Sequence, residues 1–401
     1  MASNPRRPRL SRTAEGLLGS EGDDGWGLFH RARSMAASGR KVINLAVGEH
    51  DRRADDEVVA ALVMAAESGP HGYGSITGRP SLRAAVAERL SRHGGPAIAP
   101  EGVHITMGCQ AALLLAMQLV LDPDDECLLI DPYYATYPQT VRAAGARPVV
   151  VPADPRAGFQ PDPAAVDAAI GPNTRALLLN TPNNPTGAVY SYACLTAVAE
   201  VARARGLWLI SDEVYDGLVH RGAHVSPRSL PGMADQVLLA GSLSKSYAMT
   251  GWRVGWLAGP PEVIARAADF AVASTYGVPP FLQSAAEVAL REGAAIEASI
   301  AAETAVRGEA LIAALPEDGS VHALPPDGAM YAMLDVREAG QPARVVAERL
   351  LDEYGIATMP GESFGAAAEG HLRLALVAPA EEMARVAKAV TMTVRALRQG
   401  R

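Results

Sequence analysis

Cysteine is scarce in this chain. The three that occur in 401 residues, Cys109, Cys127 and Cys194, are too few and too scattered for a disulfide framework. Their spacing matches no metal site either, so no metal is expected, and a reducing, cytoplasmic setting is. Long apolar runs are missing too, and no stretch reaches the length of a membrane-spanning helix. Arg6, Arg7, Arg9 and Arg12 make a basic start, but no apolar segment follows as a secretory signal requires. The formal net charge is −8 and there is no long basic run, which argues against a nucleic-acid partner. A DNA-binding regulator is disfavoured as well, because the segment before Trp26 is too short for a helix-turn-helix. No internal repeat or low-complexity tract stands out.

What is present fits a soluble globular chain: 49% of residues are hydrophobic and 20% charged. The length suits two domains, or one large α/β body with a smaller lobe. Residues before about Asp24 read as polar and loosely ordered. Amphipathic helices are expected over Trp26–Ser38 and Asp56–Ser68, with a short strand over Val42–Val47 between them. From about Gly102, strands at 102–106, 126–130, 147–151, 175–180, 207–211, 236–240 and 253–258 alternate with helices at about 109–121, 133–144, 163–170, 192–205 and 260–275. That rhythm predicts a mostly parallel seven-stranded sheet sandwiched by helices, with ligands beyond the carboxyl ends of the strands. After about Phe281 the pattern becomes α+β: long helices at 282–314 and 380–398, with strands near 329–334 and 372–377 between them.

The residues at the strand ends carry the chemistry. The run Ser242-Leu-Ser-Lys-Ser-Tyr-Ala-Met-Thr-Gly-Trp-Arg253 follows an apolar strand and holds one lysine, Lys245. Desolvation disfavours an ammonium, and an amine that sheds its proton can form an imine with an aldehyde. Ser242, Ser244 and Arg253 supply donors and a fixed positive charge for a phosphate beside it. Thr106-Met-Gly-Cys-Gln-Ala111 ends another strand and begins a helix, whose free N–H groups make an anion site. Asp212 closes the strand of Ser211-Asp-Glu-Val-Tyr215, where a carboxylate needs a cationic or donor partner, unless it simply caps a helix. Tyr133 and Tyr134 follow Asp131-Pro132, where one of them could stack on a flat ring. Arg373, inside the apolar strand HLRLALV, requires either a carboxylate or a structural ion pair.

Asn184-Pro-Thr-Gly187, Ser211-Asp-Glu-Val-Tyr215 and the run from Ser242 to Trp256, in that order, resemble the fold-type I pyridoxal-phosphate aminotransferases, class I/II (the aspartate aminotransferase superfamily). The landmarks extend from Gly48 to Arg373. The resemblance implies a large cofactor-binding domain (58–287), a small C-terminal domain (288–401) and an N-terminal segment (1–57) joining the small one. It also implies a ping-pong exchange between an L-amino acid and a 2-oxo acid. Lys245 would hold pyridoxal 5′-phosphate as a Schiff base and then shuttle the substrate proton. Asp212 would pair with the ring nitrogen, and Tyr215 and Asn184 would donate to the phenolic oxygen. Tyr134 would stack on the ring. Gly108, Cys109, Gln110, Ser242, Ser244 and Arg253 would hold the phosphate, with Tyr73 reaching it across a homodimer interface. Arg373, Asn184 and the Gly48 backbone would bind the substrate carboxylate.

Within the family, the stretch from Ser211 to Trp256 is most similar to arginine–pyruvate transaminases, which makes arginine the expected donor and pyruvate the expected acceptor. Two departures bear on that. Gly48-Glu-His-Asp-Arg52 stands where the family commonly has Gly-Glu/Asp-Pro-Asp-Phe, and Gln110 stands where one aspartate-specific subgroup has lysine. Gln110 disfavours an aspartate donor, neutral and aromatic donors stay open, and Arg52 and Arg79 are expected to be solvated surface groups. The competing chemistries on such a scaffold are C–S β-elimination and amino-acid oxidation.

Overall fold

The computed structural model describes residues 9–17 and 26–400. Its main sheet has seven strands, in the spatial order Val103–Thr106, Gly255–Ala258, Val237–Ser242, Trp208–Asp212, Thr174–Asn180, Glu126–Asp131 and Arg147–Pro152. Gly255–Ala258 runs antiparallel to both of its neighbours, and the other pairings are parallel. All seven sequence-predicted strands are present, with boundaries within two residues.

Successive side chains on these strands go to opposite faces. Leu128, Ile130, Leu177, Leu179 and Leu209 pack with Leu195, Val198 and Ala202 of the helix Tyr192–Arg205. Their neighbours Cys127, Leu129, Ala176, Leu178 and Ile210 pack with Leu113, Ala116 and Met117 of the helix Cys109–Val120. Both faces are therefore dry, which is why the strands read as nearly unbroken apolar runs. Each fully buried leucine contributes about 1.5–3 kcal/mol. The final residues of four adjacent or near-adjacent strands are polar: Asp131, Asn180, Asp212 and Ser242. Parallel packing brings them to one edge.

A second sheet orders Met359–Pro360, His371–Ala375, Tyr331–Asp335 and His322–Ala323, all antiparallel. Arg373 sits in it opposite both Met333 and Met359. Ile43–Asn44 pairs with Ile356–Ala357, tying the segment after the first long helix (Trp26–Ala37) to this half of the chain.

Four sequence expectations need correction. The helix expected over 282–314 is two, Pro280–Glu292 and Ala294–Ala313, divided at Gly293, where a Cβ would press on the Tyr247 ring. The helix expected from 133 begins at Tyr137, because Tyr133 and Tyr134 belong to the turn after the strand. The expected strand 42–47 shortens to Ile43–Asn44. Most of the N-terminal stretch read as loosely ordered lies outside the described residues, but Arg12–Gly16 is a short helix capped by Ser11.

Asp131 shows what the polar strand ends cost. It is buried, Oδ2 accepts from Ala367 N at 3.1 Å, and Oδ1 has no hydrogen-bond partner among the described residues. Burial pushes its carboxyl up to about 6, against the two backbone N–H groups that favour the charged form. A folded-state pKa above the unfolded value means this stability is complete below about pH 4 and lost as pH rises through about 6. Asp131→Asn removes the titration. Relative to wild type, its unfolding free energy is expected to improve between pH 4.5 and 7.5 by on the order of 1 kcal/mol after solvent screening. Denaturant titrations of both proteins at the two pH values check this.

Candidate active site

Lys245 lies in the turn after the strand Val237–Ser242, half-buried, and its Nζ donates to the Gly48 carbonyl at 2.6 Å. Ser242 and Ser244 flank it and are buried, Ser242 Oγ accepting from Ser244 N at 3.2 Å. Arg253 adopts a left-handed backbone (φ 55°) and is tied to the Thr250 carbonyl at 2.8 Å and the Met107 carbonyl at 3.4 Å. Those bonds aim its guanidinium at the start of the helix Cys109–Val120. Gly108 precedes that helix with φ 82°, and a Cβ there would overlap the guanidinium. The first N–H groups of the helix have no partners within it. With Arg253 they form one anion-binding corner.

Asp212 faces this corner from the end of its strand and is 4% exposed. Tyr137 Oη donates to Oδ2 at 2.6 Å, Val214 N to Oδ1 at 3.1 Å, and Cys109 Sγ lies 3.4 Å from Oδ1. Burial raises its pKa, and these donors only moderate the rise. No cation bonds to the carboxylate among the described residues, so a positively charged group beside it would relieve the cost. Tyr215 Oη lies 3.1 Å from Tyr331 Oη and 3.5 Å from Asn184 Nδ2, with burial raising its pKa well above the ordinary value. Tyr134 packs edge-on to Tyr137 at 5.6 Å, and burial pushes its hydroxyl up to about 12.

Arg373 is 2% exposed. Its Nη1 donates to Asn184 Oδ1 at 3.1 Å and its Nη2 to the Ala46 carbonyl, with Met359 Sδ at 3.1 Å, while Nε has no partner. The guanidinium lies over the rings of Tyr331 and Phe364, 4.5 and 4.6 Å from their centroids. Among the described residues it meets no carboxylate, so neither partner expected from the sequence is supplied by the chain. Desolvation lowers its pKa.

One cleft is lined by Gly48, Cys109, Gln110, Tyr134, Asn184, Asp212, Tyr215, Ser242, Ser244, Lys245, Arg253 and Arg373. Gly108 adjoins it through Arg253. Tyr73 stands apart, 89% exposed, its ring 4.9 Å from that of Tyr276. Trp26, Tyr137, Asn180 and Tyr331 also line the cleft and were missed from sequence. Tyr137 and Asn180 had a signal, a third tyrosine after Asp131 and an amide at a strand end; Tyr331 sits in an apolar strand with none. Arg52 and Arg79 are not free surface groups. Arg52 donates to Glu303 at 2.8 Å and Ser299 at 3.2 Å, and Arg79 to Ser284.

The donor set fits a phosphorylated pyridine aldehyde. A glycine-walled anion corner, an amine and a buried acid lacking a cation face one cleft, and each answers one part of such a molecule.

Comparison with known proteins agrees. The family model "Aminotransferase class I and II" matches residues 40–390. The arginine–pyruvate transaminase AruH of Pseudomonas aeruginosa is 38% identical over 375 residues, 94% of this chain and 95% of that protein. The aspartate/prephenate aminotransferase of Thermus thermophilus is 37% identical, covering 88% of this chain and 91% of that one. The solved structure of an aspartate aminotransferase from Thermus thermophilus with maleate superposes with a TM-score of 0.90 at 34% identity, over 96% of this chain and 100% of that one.

Proposed function

This chain belongs to the class I and II aminotransferases and is a pyridoxal-phosphate-dependent transaminase; on that premise we propose that its amino donor is arginine and its acceptor pyruvate. Arg373 carries the α-amino acid part of this reading: a dry guanidinium in the cleft, without a carboxylate from the chain, is suited to a bidentate substrate carboxylate. The donor side chain is supported by the similarity to the Pseudomonas aeruginosa enzyme and by the cleft's own composition. Gln110 is engaged by Thr140 at 2.6 Å and Thr136 at 3.1 Å. Lys245, Arg253 and Arg373 are the cations among the described lining residues, and all three have assigned work, which leaves none for a second carboxylate. Trp26 is an aromatic residue of the cleft lining, a residue type against which a guanidinium can pack.

When bound, pyridoxal phosphate supplies an aldehyde for amine exchange and a ring that accepts electrons from the α-carbon. Lys245 would hold it through its amine and would move the proton off the donor α-carbon as general base. Asp212 would keep a proton on the ring nitrogen, Tyr215 and Asn184 would donate to the phenolic oxygen, and Tyr134 would cover the ring face. The helix start at Gly108, Cys109 and Gln110, with Ser242, Ser244 and Arg253, would hold the phosphate. Arg373, beside Asn184 and the Gly48 backbone, orients the α-carboxylate.

The reading includes a homodimer in which Tyr73 serves the neighbouring site, supported by that tyrosine's exposure beside Tyr276, itself 51% exposed. That the N-terminal segment joins the small C-terminal domain is supported by the Ile43–Asn44 pairing with Ile356–Ala357. A cytoplasmic location is supported by three unbridged cysteines. No helix among the described residues is long and apolar enough to cross a membrane.

The test is a single half-reaction. Mixed with arginine and no acceptor, the loaded enzyme is expected to release one equivalent of 2-oxo acid per chain and no ammonia. Continued release of ammonia would overturn transfer in favour of elimination or oxidation. Faster conversion of aspartate or an aromatic amino acid than of arginine would overturn the donor alone.

A further inference from the structure

Residues 46–52 cross the cleft as a strap whose polar groups are anchored at almost every position. The Ala46 carbonyl accepts from Arg373, and the Gly48 carbonyl accepts from Lys245 Nζ at 2.6 Å. His50 Nε2 lies 2.8 Å from the Lys245 carbonyl oxygen. Asp51 takes two bonds from Arg307 Nη2, at 3.0 and 2.9 Å, and Arg52 bonds Glu303 at 2.8 Å. One short loop thus holds a single lysine at both ends, its amine through Gly48 and its main chain through His50. The strap cannot readily retreat toward the second sheet, since at Gly48 even a Cβ would overlap the Tyr331 hydroxyl.

A carbonyl only accepts, so Nε2 of His50 carries a proton. Burial pushes the imidazole down to about 4; the charges of Lys245 and Arg307 push the same way, while the bond to the Lys245 carbonyl and Asp51 oppose. At neutral pH the ring is therefore uncharged, with its tautomer set by the carbonyl it faces. It restrains the lysine without adding a positive charge beside the amine.

We propose that His50 is a positioning residue for Lys245: its Nε2–H bond to the Lys245 carbonyl locks the strap to the lysine-bearing turn and so keeps the Gly48 carbonyl within reach of Nζ. The strap also touches Arg373 through Ala46, so the same tether sets the spacing between the amine and the carboxylate-binding guanidinium. This inference rests on Lys245 being the residue that binds the cofactor.

The test compares His50→Leu, which has no donor, with His50→Gln, whose amide nitrogen reaches close to the Nε2 position. In the apoproteins, acetic anhydride labelling of Lys245 is followed by peptide mass spectrometry, and thermal unfolding confirms that each variant folds. Labelling is expected to be about 3–10-fold faster in His50→Leu, the loss of one hydrogen bond, and within about twofold of wild type in His50→Gln. In the loaded proteins, the pH midpoint of the cofactor absorbance is expected to move by roughly half a unit in His50→Leu and to stay in His50→Gln. Should His50→Leu not fold, His50→Asn, polar but too short to span the gap, takes its place. Wild-type labelling and titration in the donor-less variant, or a departure in His50→Gln as large as in His50→Leu, would overturn the tether. Lys245→Ala separates the two ideas: if it still shows the cofactor's covalent absorbance, the cofactor assignment fails, whatever the His50 variants do.

Discussion

Lys245→Ala is expected to lower kcat for amine exchange by at least about 10⁴-fold, because the proposed mechanism makes one side chain both covalent anchor and general base. The folded state should hardly notice. Lys245 is half-buried, and its amine makes one bond, to the Gly48 carbonyl. The surrounding turn is held by Leu243, Tyr247 and Met249, which are buried and untouched by the change. Thermal unfolding of the apoprotein within a few degrees of wild type, together with collapse of single-turnover 2-oxo acid production, is the paired result that identifies a chemical rather than a structural role. A small primary amine added to the solution should restore part of the proton transfer. Turnover in the variant above about one per cent of wild type would remove Lys245 from the mechanism.

Arg373→Leu is expected to separate activity from stability. Loss of the proposed bidentate clamp should reduce kcat/KM for the amino donor by about 10³-fold, equivalent to roughly 4 kcal/mol of charge-assisted bonding. The apoprotein should be at least as stable as wild type. Its guanidinium is 2% exposed, has an orphaned Nε and relies on amide, carbonyl and thioether partners plus two aromatic faces. Replacing a desolvated charge that lacks an opposite partner by an apolar group is commonly neutral or stabilising, although leucine ends short of the guanidinium position. Arg373→Lys should fall between, losing about 10–100-fold in kcat/KM, because a point charge cannot reproduce the planar fork. A leucine variant that melts well below wild type would mean that Arg373 is structural first.

The buried group around Arg89 shows what no local pattern could announce. Its guanidinium meets Asp216 at 2.8 Å, Glu297 at 2.6 Å and Tyr247 Oη at 2.8 Å, joining the turn after Asp212 to the segment after Lys245. On paper Arg89 is one more arginine in an exposed-looking helix. Gly293 is another such case, because the approach of Tyr247, which leaves no room for a side chain where the two helices divide, is not visible in the sequence. Tyr331 likewise reads as a residue of an apolar strand and turns out to face Tyr215.

The nearly unbroken apolar runs, the polar residues that end them and the order of the Asn184, Asp212 and Lys245 motifs determined the sheet, the family and the chemistry from sequence alone, since each run and motif depends on neighbours a few positions apart. Which groups meet was decided by tertiary structure. Lys245 reaches Gly48 across 197 positions and Arg373 reaches Asn184 across 189. Contacts of that separation depend on how the two sheets pack, and hydrogen bonds are set by distances of tenths of an ångström that no spacing along the chain encodes.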